Sequence, residues 1–137
     1  MTLDPIIGPL LMQLGLTLFV VFWLAYARFS YIGRHGIAKV RESGFPTRAV
    51  NASDNFKNQF EVPVVFYVLC VLFLTVLETT PLALFLAWMF VAFRYLHALV
   101  QLTFNTIFPW RFGAFLISTL AVLALFIVAC VQAAGAM

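Results

Sequence analysis

The chain has 137 residues, of which 64% are hydrophobic and 9% are charged, with a mean hydropathy of +1.05. This composition leaves too little polar surface to cover a water-soluble domain, and the length suits four membrane spans and little else. The formal net charge of +3 comes from basic residues beside apolar stretches, where they set orientation and meet lipid headgroups, so nucleic acid is not an expected partner.

The first apolar run extends from Ile6 to Ala27 and is long enough to cross the bilayer. It lacks the basic flank of a cleavable signal peptide and is expected to stay in the mature protein. The polar, glycine-containing segment from Gly33 to Pro46 predicts a loop that ends this helix. The first helix is therefore predicted over about residues 5–32.

The second apolar run, from Val62 to Leu77, has only 16 residues. A helix that uses it to cross the membrane must include the polar turns before it, so we predict a helix over about 47–78. Glu61 is then expected inside the membrane zone.

The third helix is predicted over about 81–106, with Thr80 as its N-cap and Pro81 at the first helical position. Only 13 residues separate Pro81 from Arg94, so this arginine is also expected to be embedded. After a short loop, an uncharged C-terminal stretch predicts a fourth helix over about 110–135.

These elements predict an all-α membrane protein, a single domain over residues 1–137 formed by a bundle of four transmembrane helices. The distribution of basic residues favours both termini outside the cytoplasm and the Gly33 to Pro46 loop inside it. Short termini without an organelle address favour a multi-pass protein of a bacterial inner membrane.

Two helices carry polar stripes at spacings of three and four residues, which place each stripe on one helix face. The stripes are Asn51, Asp54, Asn58 and Glu61 on the second helix and Arg94, His97, Gln101 and Asn105 on the third. Ionisable side chains at membrane depth are unfavourable unless they are paired or face a wet cavity. The stripes are therefore expected to pack against each other, across the bundle interior or across a subunit interface, with Glu61 and Arg94 as countercharges.

A purely structural interpretation treats Glu61 with Arg94 as a buried ion pair and the amides as interhelical hydrogen bonds. It does not explain why Arg94, His97 and Arg111 are all expected near the cytoplasmic end of the bundle. An anionic ligand bound there would account for this cluster. Neither a metal nor a haem is expected, because the two cysteines are isolated and His97 does not lie at a depth that matches His35.

Three short motifs occur in order along the chain: Asn58-Gln59-Phe60-Glu61 followed by Pro63, then Arg94-Tyr95-Leu96-His97, then Pro109-Trp110-Arg111. On a four-span chain of this length they resemble the MAPEG family, the membrane-associated proteins of eicosanoid and glutathione metabolism. The resemblance covers most of the chain.

The resemblance implies a homotrimer in the membrane lipid, with glutathione as co-substrate near the cytoplasmic face between neighbouring subunits. It assigns glutathione binding to Asn58, Glu61, Arg94 and His97, and Gln101 on the same stripe is a further candidate. It further implies that Arg111 is catalytic and stabilises the glutathione thiolate. The activity implied is a glutathione transferase or peroxidase acting on apolar electrophiles or lipid hydroperoxides that enter from the lipid.

Two alternatives stay open at the level of sequence. The eicosanoid enzymes usually carry an arginine four residues before the motif asparagine, where this chain has Asp54, and their tyrosine after Arg-x-x-His is absent here. These departures favour a non-catalytic MAPEG-like scaffold or anion-binding protein. A small multidrug transporter is the third hypothesis, although such transporters carry their carboxylate on the first helix, where this chain has no charge between Asp4 and Arg28.

Overall fold

The computed structural model describes residues 3–105 and 107–136, so residues 1, 2, 106 and 137 of the predicted domain lie outside the described part. Its helices are α1 (Ile7–Ser43), α2 (Thr47–Asn58), α3 (Val62–Thr75), α4 (Pro81–Thr103) and α5 (Phe112–Gly135), with a short π-helical turn, Ile107–Arg111, before α5. Helices α2 and α3 together form one span, which gives four segments long and apolar enough to cross a membrane. The predicted all-α, four-helix membrane fold is confirmed.

Hydrogen bonds from the turn between α3 and α4 to both ends of the chain bring the two termini to one end of the bundle. Thr79 Oγ1 donates to Asp4 Oδ1 at 2.8 Å beside the start of α1. Near the end of α5, the Gln132 amide accepts from the Glu78 backbone N–H at 2.9 Å and donates to the Glu78 carbonyl at 3.0 Å. The loops between α1 and α2 and between α4 and α5 therefore lie at the opposite end.

Helix α1 is longer than the sequence predicted. A loop beginning at Gly33 was expected, and this is wrong, because the helix continues to Ser43. Only Gly36 leaves helical geometry, with φ of 75° and ψ of 160°, a conformation that glycine tolerates without a Cβ clash. The helix resumes beyond it and carries a salt bridge of 3.1 Å between Lys39 and Glu42 at the favourable i, i+3 spacing.

The second span was predicted as one helix over 47–78 and is instead divided into α2 and α3. Pro63 has no N–H, and its ring excludes the helical position of the carbonyl four residues before it, at Gln59. The chain leaves helical geometry at Glu61, with φ of −96° and ψ of −104°. This break turns the Glu61 side chain to the surface, where it is exposed.

Helix α4 begins as predicted, with Thr80 Oγ1 accepting a hydrogen bond of 3.2 Å from the Ala83 backbone N–H. It ends at Thr103, earlier than the predicted residue 106, which lies outside the described part. Asn105 already has a positive φ of 48°, which an α-helix cannot accommodate.

The apolar core lies between α3, α4 and α5. The rings of Phe66 and Phe90 stack with centroids 4.4 Å apart, and both side chains are fully buried. Ala83, Ala87 and Ala121 are also buried at these helix faces. Lipid supplies no hydrophobic drive between helices, so such small residues stabilise the bundle by allowing close van der Waals packing.

A chain of three fully buried amides joins α1 to α2 and α4. Gln13 Nε2 donates to Gln59 Oε1 at 3.1 Å, and Gln59 Nε2 donates to Asn55 Oδ1 at 2.9 Å. Asn55 Nδ2 then donates to the Ala98 carbonyl at 3.1 Å. This amide chain was not predicted from the sequence, and its central member, Gln59, is the residue that caps α2 at the helix break.

We expect Gln59→Leu to destabilise the protein more than Gln13→Leu. The central amide makes two side-chain hydrogen bonds, and its removal leaves Gln13 and Asn55 without their side-chain partners in a dry interior. The expected loss is about 1–2 kcal/mol for Gln59→Leu and less than about 1 kcal/mol for Gln13→Leu. Thermal unfolding in detergent measures both, and Leu11→Ala on the exposed face of α1 is the control. A larger effect of Gln13→Leu would contradict the hydrogen-bond order described here.

Candidate functional site

The polar faces of α2 and α4 meet along a row of hydrogen bonds that we call the polar seam. Asn105 Nδ2 donates to Asn51 Oδ1 at 2.9 Å, and Asn58 Nδ2 donates to Gln101 Oε1 at 3.0 Å. Nearer the helix break, Arg94 Nη2 donates a hydrogen bond of 2.7 Å to the Asn58 backbone carbonyl. The two stripes therefore face each other, as their spacing predicted.

The predicted ion pair between Arg94 and Glu61 is wrong within the protomer. Arg94 is 1% exposed, and in the described part of the chain the salt bridges within 4 Å join Lys39 with Glu42 and Lys57 with Asp54. Glu61 lies at the helix break, where its backbone is not helical and its side chain is exposed. The buried guanidinium has a backbone carbonyl as its partner, and its Nε atom makes no hydrogen bond among the described residues.

An open pocket of about 260 Å³ lies where α2, α4 and the start of α5 meet. Its lining residues are Asn58, His97, Arg111, Phe112 and Phe115. The His97 side chain is 3% exposed, and its Nδ1 atom has no hydrogen-bond partner in the described part of the protein. The pocket combines an aromatic wall with a polar wall from the seam.

Asn105 holds the Arg111 guanidinium in place. Its Oδ1 atom accepts a hydrogen bond of 2.8 Å from Arg111 Nη1, while its Nδ2 atom is bound to Asn51. The positive φ of Asn105 turns the chain after α4 and is tolerated by asparagine more readily than by most residues. One side chain thus connects α2 to the turn before α5 and orients the pocket arginine.

The predicted site residues have three different placements. Asn58, His97 and Arg111 line the pocket, whereas Arg94 and Gln101 are buried behind it and contact Asn58. Glu61 is exposed and does not line the pocket. Sequence reasoning placed Asn105 on the polar stripe but missed its contact with Arg111, since a positive φ leaves no signal beyond the residue type.

The electrostatics of the pocket favour an anion. Its lining contains the Arg111 guanidinium and no carboxylate, and the buried Arg94 lies behind it. Arg111 is partly buried, and a partly buried cation attracts negative charge more strongly than one in bulk water. Among residues 3–105 and 107–136, no three or more His, Cys, Asp or Glu side chains come together in a group that could hold a metal ion.

The family model of the MAPEG family matches residues 6–131 of the 137. This chain belongs to the MAPEG family. The match extends from the start of α1 almost to the end of α5, so it includes the polar seam and the pocket. No curated protein and no solved structure matches the chain. Membership identifies this MAPEG protein as an integral, multi-pass membrane protein of the glutathione and eicosanoid metabolism family.

We expect Arg94→Met to change the stability of the protein by less than about 1 kcal/mol, because removal of a buried charge that has no countercharge offsets the loss of its hydrogen bond to the Asn58 carbonyl. Removing one member of a buried ion pair would instead cost about 3–5 kcal/mol. Asn55→Leu is the comparison, with an expected loss of about 1–2 kcal/mol since it breaks two buried hydrogen bonds. Thermal unfolding in detergent ranks the two variants, and a larger loss for Arg94→Met would support a purely structural role of Arg94.

Proposed function

We propose that this MAPEG protein is a glutathione-dependent membrane enzyme, a transferase or peroxidase acting on apolar electrophiles or lipid hydroperoxides. The observation that carries the proposal is the convergence of Asn58, His97 and Arg111 on one open pocket that contains a cation and no carboxylate. The aromatic side chains of Phe112 and Phe115 form the rest of its lining and suit an apolar co-substrate arriving from the lipid.

Glutathione fits the chemistry of these residues. It carries two carboxylates, which guanidinium groups bind through charge-assisted hydrogen bonds, and peptide groups that an amide such as Asn58 can bind. Its single ammonium group requires an acceptor, and the exposed Glu61 carboxylate, three residues from Asn58, is suited to that role. Arg94 and Gln101 would act from behind by orienting Asn58.

Arg111 would supply the catalytic electrostatics. Its charge favours loss of the thiol proton to water, and only the resulting thiolate is a competent nucleophile. In transfer, the sulfur lone pair forms a bond to the electrophilic carbon, and the displaced electron pair leaves with the leaving group or takes a proton from water. In peroxide reduction, the thiolate attacks the terminal peroxide oxygen, the O–O bond breaks to give the sulfenic acid, and the alkoxide takes a proton from water and leaves as the alcohol. A second glutathione then converts the sulfenic acid to the disulfide and water.

A homotrimer completes this proposal. Glu61 is exposed on the isolated protomer beside an apolar span, where a carboxylate facing lipid would be unfavourable. A neighbouring protomer would cover it and close the open side of the pocket. The basic residues at the end opposite the termini support a cytoplasmic position for the pocket, in a bacterial inner membrane with both termini outside.

A non-catalytic anion-binding protein is the second candidate. One observation favours it: Asp54 stands at the position where the eicosanoid enzymes usually carry an arginine, and it pairs with Lys57 at 3.3 Å, so this position supplies no cation to the pocket. Such a protein would bind glutathione or another anion without turnover, so binding and activity must be measured separately.

We expect glutathione to bind the detergent-purified oligomer saturably and to bind Arg94→Ala and Arg111→Ala at least about tenfold more weakly, because each loses a charge-assisted contact or its support. Isothermal titration calorimetry measures the affinity. Arg34→Ala, which removes an exposed arginine from α1, is the matched control and should bind as the parent protein does. Equal losses in all three variants would indicate a general charge effect, and no binding to the folded parent oligomer would reject glutathione as the ligand.

Arg111→Gln should lower kcat/KM towards an electrophile by about 10²–10³-fold, the range found when an electrostatic stabiliser is removed. Asn105→Gly keeps the positive φ but removes the amide that orients Arg111, and we expect an intermediate loss of about tenfold. The ultraviolet absorbance of bound glutathione thiolate at fixed pH should fall in the same order. Unchanged thiolate absorbance in Asn105→Gly would assign Asn105 a structural role only.

A further inference from the structure

A second opening lies between α1 and α2, on residues that do not line the pocket described above. It has a volume of about 450 Å³. Its lining includes Val21, Leu24, Ala25, Arg28, Phe29 and Phe56. The α1 members recur at intervals of three and four residues, so they form one continuous face of that helix. We call this opening the α1–α2 groove.

Arg28 is the charged residue of this groove and has few partners for its guanidinium. Its Nη2 atom donates a long hydrogen bond of 3.2 Å to Ser53 Oγ, and the guanidinium lies 5.3 Å from the centre of the Phe45 ring. Its Nε atom is buried and makes no hydrogen bond among the described residues. No carboxylate in the described part of the protein forms a salt bridge with Arg28.

The groove extends from the hydrocarbon region towards the headgroup region. Val21 lies within the uncharged part of α1, and Arg28 is the first charged residue after it, about 10 Å further along the helix axis. Arg48 of α2 stacks on Trp23, with its guanidinium 4.5 Å from the ring centre, but Trp23 lies on a different face of α1 from the residues that line the groove, so Arg28 is the cation of the groove. One part of the groove is therefore apolar, and the other carries uncompensated positive charge.

We propose that the α1–α2 groove binds one anionic phospholipid, with an acyl chain against Val21, Leu24 and Ala25 and the headgroup phosphate on the Arg28 guanidinium. Arginine binds phosphate through several directed N–H donors. Among the described residues, the terminal nitrogens of Arg28 make one long hydrogen bond, to Ser53, which leaves further N–H donors for a phosphate. An apolar helix of a second protomer would fill the same groove but would leave Arg28 without a countercharge, so charge complementarity favours the lipid. This site does not depend on glutathione or on the pocket.

The parent protein tests the proposal without any substitution. Native mass spectrometry of the oligomer from mixed micelles should show phosphatidylglycerol retained at about one molecule per protomer, and phosphatidylcholine with the same acyl chains at least about tenfold less. Equal retention of the two lipids would overturn the proposal. Inorganic phosphate should not displace phosphatidylglycerol, because it lacks the acyl chain; displacement would show that an anion alone occupies the site.

Two variants separate the headgroup and chain contacts. Arg28→Gln removes the charge, and Ala25→Phe keeps the charge but fills the apolar part of the groove; each should reduce retained phosphatidylglycerol at least about tenfold. Arg34→Gln removes an exposed charge from the same helix and should retain the lipid. Size-exclusion profiles establish that each variant is folded. Loss of lipid in Arg34→Gln equal to that in Arg28→Gln, or full retention in both groove variants, would overturn the site.

Discussion

Hydrocarbon provides no hydrogen-bond partner, so a polar side chain that enters the membrane must find its partner inside the protein. In this protein the requirement is met chiefly between α2 and α4. Side-chain and backbone groups at successive turns pair along the polar seam, from Asn51 with Asn105 to Asn58 with Gln101 and Arg94. Sliding either helix by one turn would leave several of these groups unpaired. The seam therefore determines the register of the two helices that carry the candidate site.

The break at Pro63 makes the seam compatible with an apolar span. The polar stripe of the second span ends at Glu61, and the segment after it, Val62–Thr75, is almost entirely apolar. The break lets α3 present a new apolar face to α4 and α5, while Gln59 at the end of α2 links Gln13 of α1 to Asn55. Glu61 at this break is exposed, and it forms no salt bridge within 4 Å with Arg94, the arginine it was expected to neutralise, in the described part of the chain.

The candidate site consequently contains more positive charge than the protomer itself balances. Arg94 is buried and donates a hydrogen bond to the Asn58 backbone carbonyl. Arg111 is held by Asn105 at the open pocket, whose lining contains no carboxylate. Such an arrangement contributes little to folding stability but is preorganised for an anion. A similar imbalance occurs at Arg28 in the α1–α2 groove. In this MAPEG protein, a contribution to folding stability therefore does not account for these arginines, which have no carboxylate partner among the described residues.

The sequence by itself determined the membrane class, the four spans, the facing stripes of α2 and α4 and the family, because hydropathy and helical spacing are properties of the chain alone. The tertiary structure decided the rest. Single φ and ψ values determine three of its features. The values at Gly36 accompany the continuation of α1 to Ser43, those at Glu61 accompany its exposure at the helix break, and the positive φ of Asn105 accompanies its contact with Arg111. The burial of the amide chain depends on which helices meet, and that is decided only when side chains from distant segments pack together.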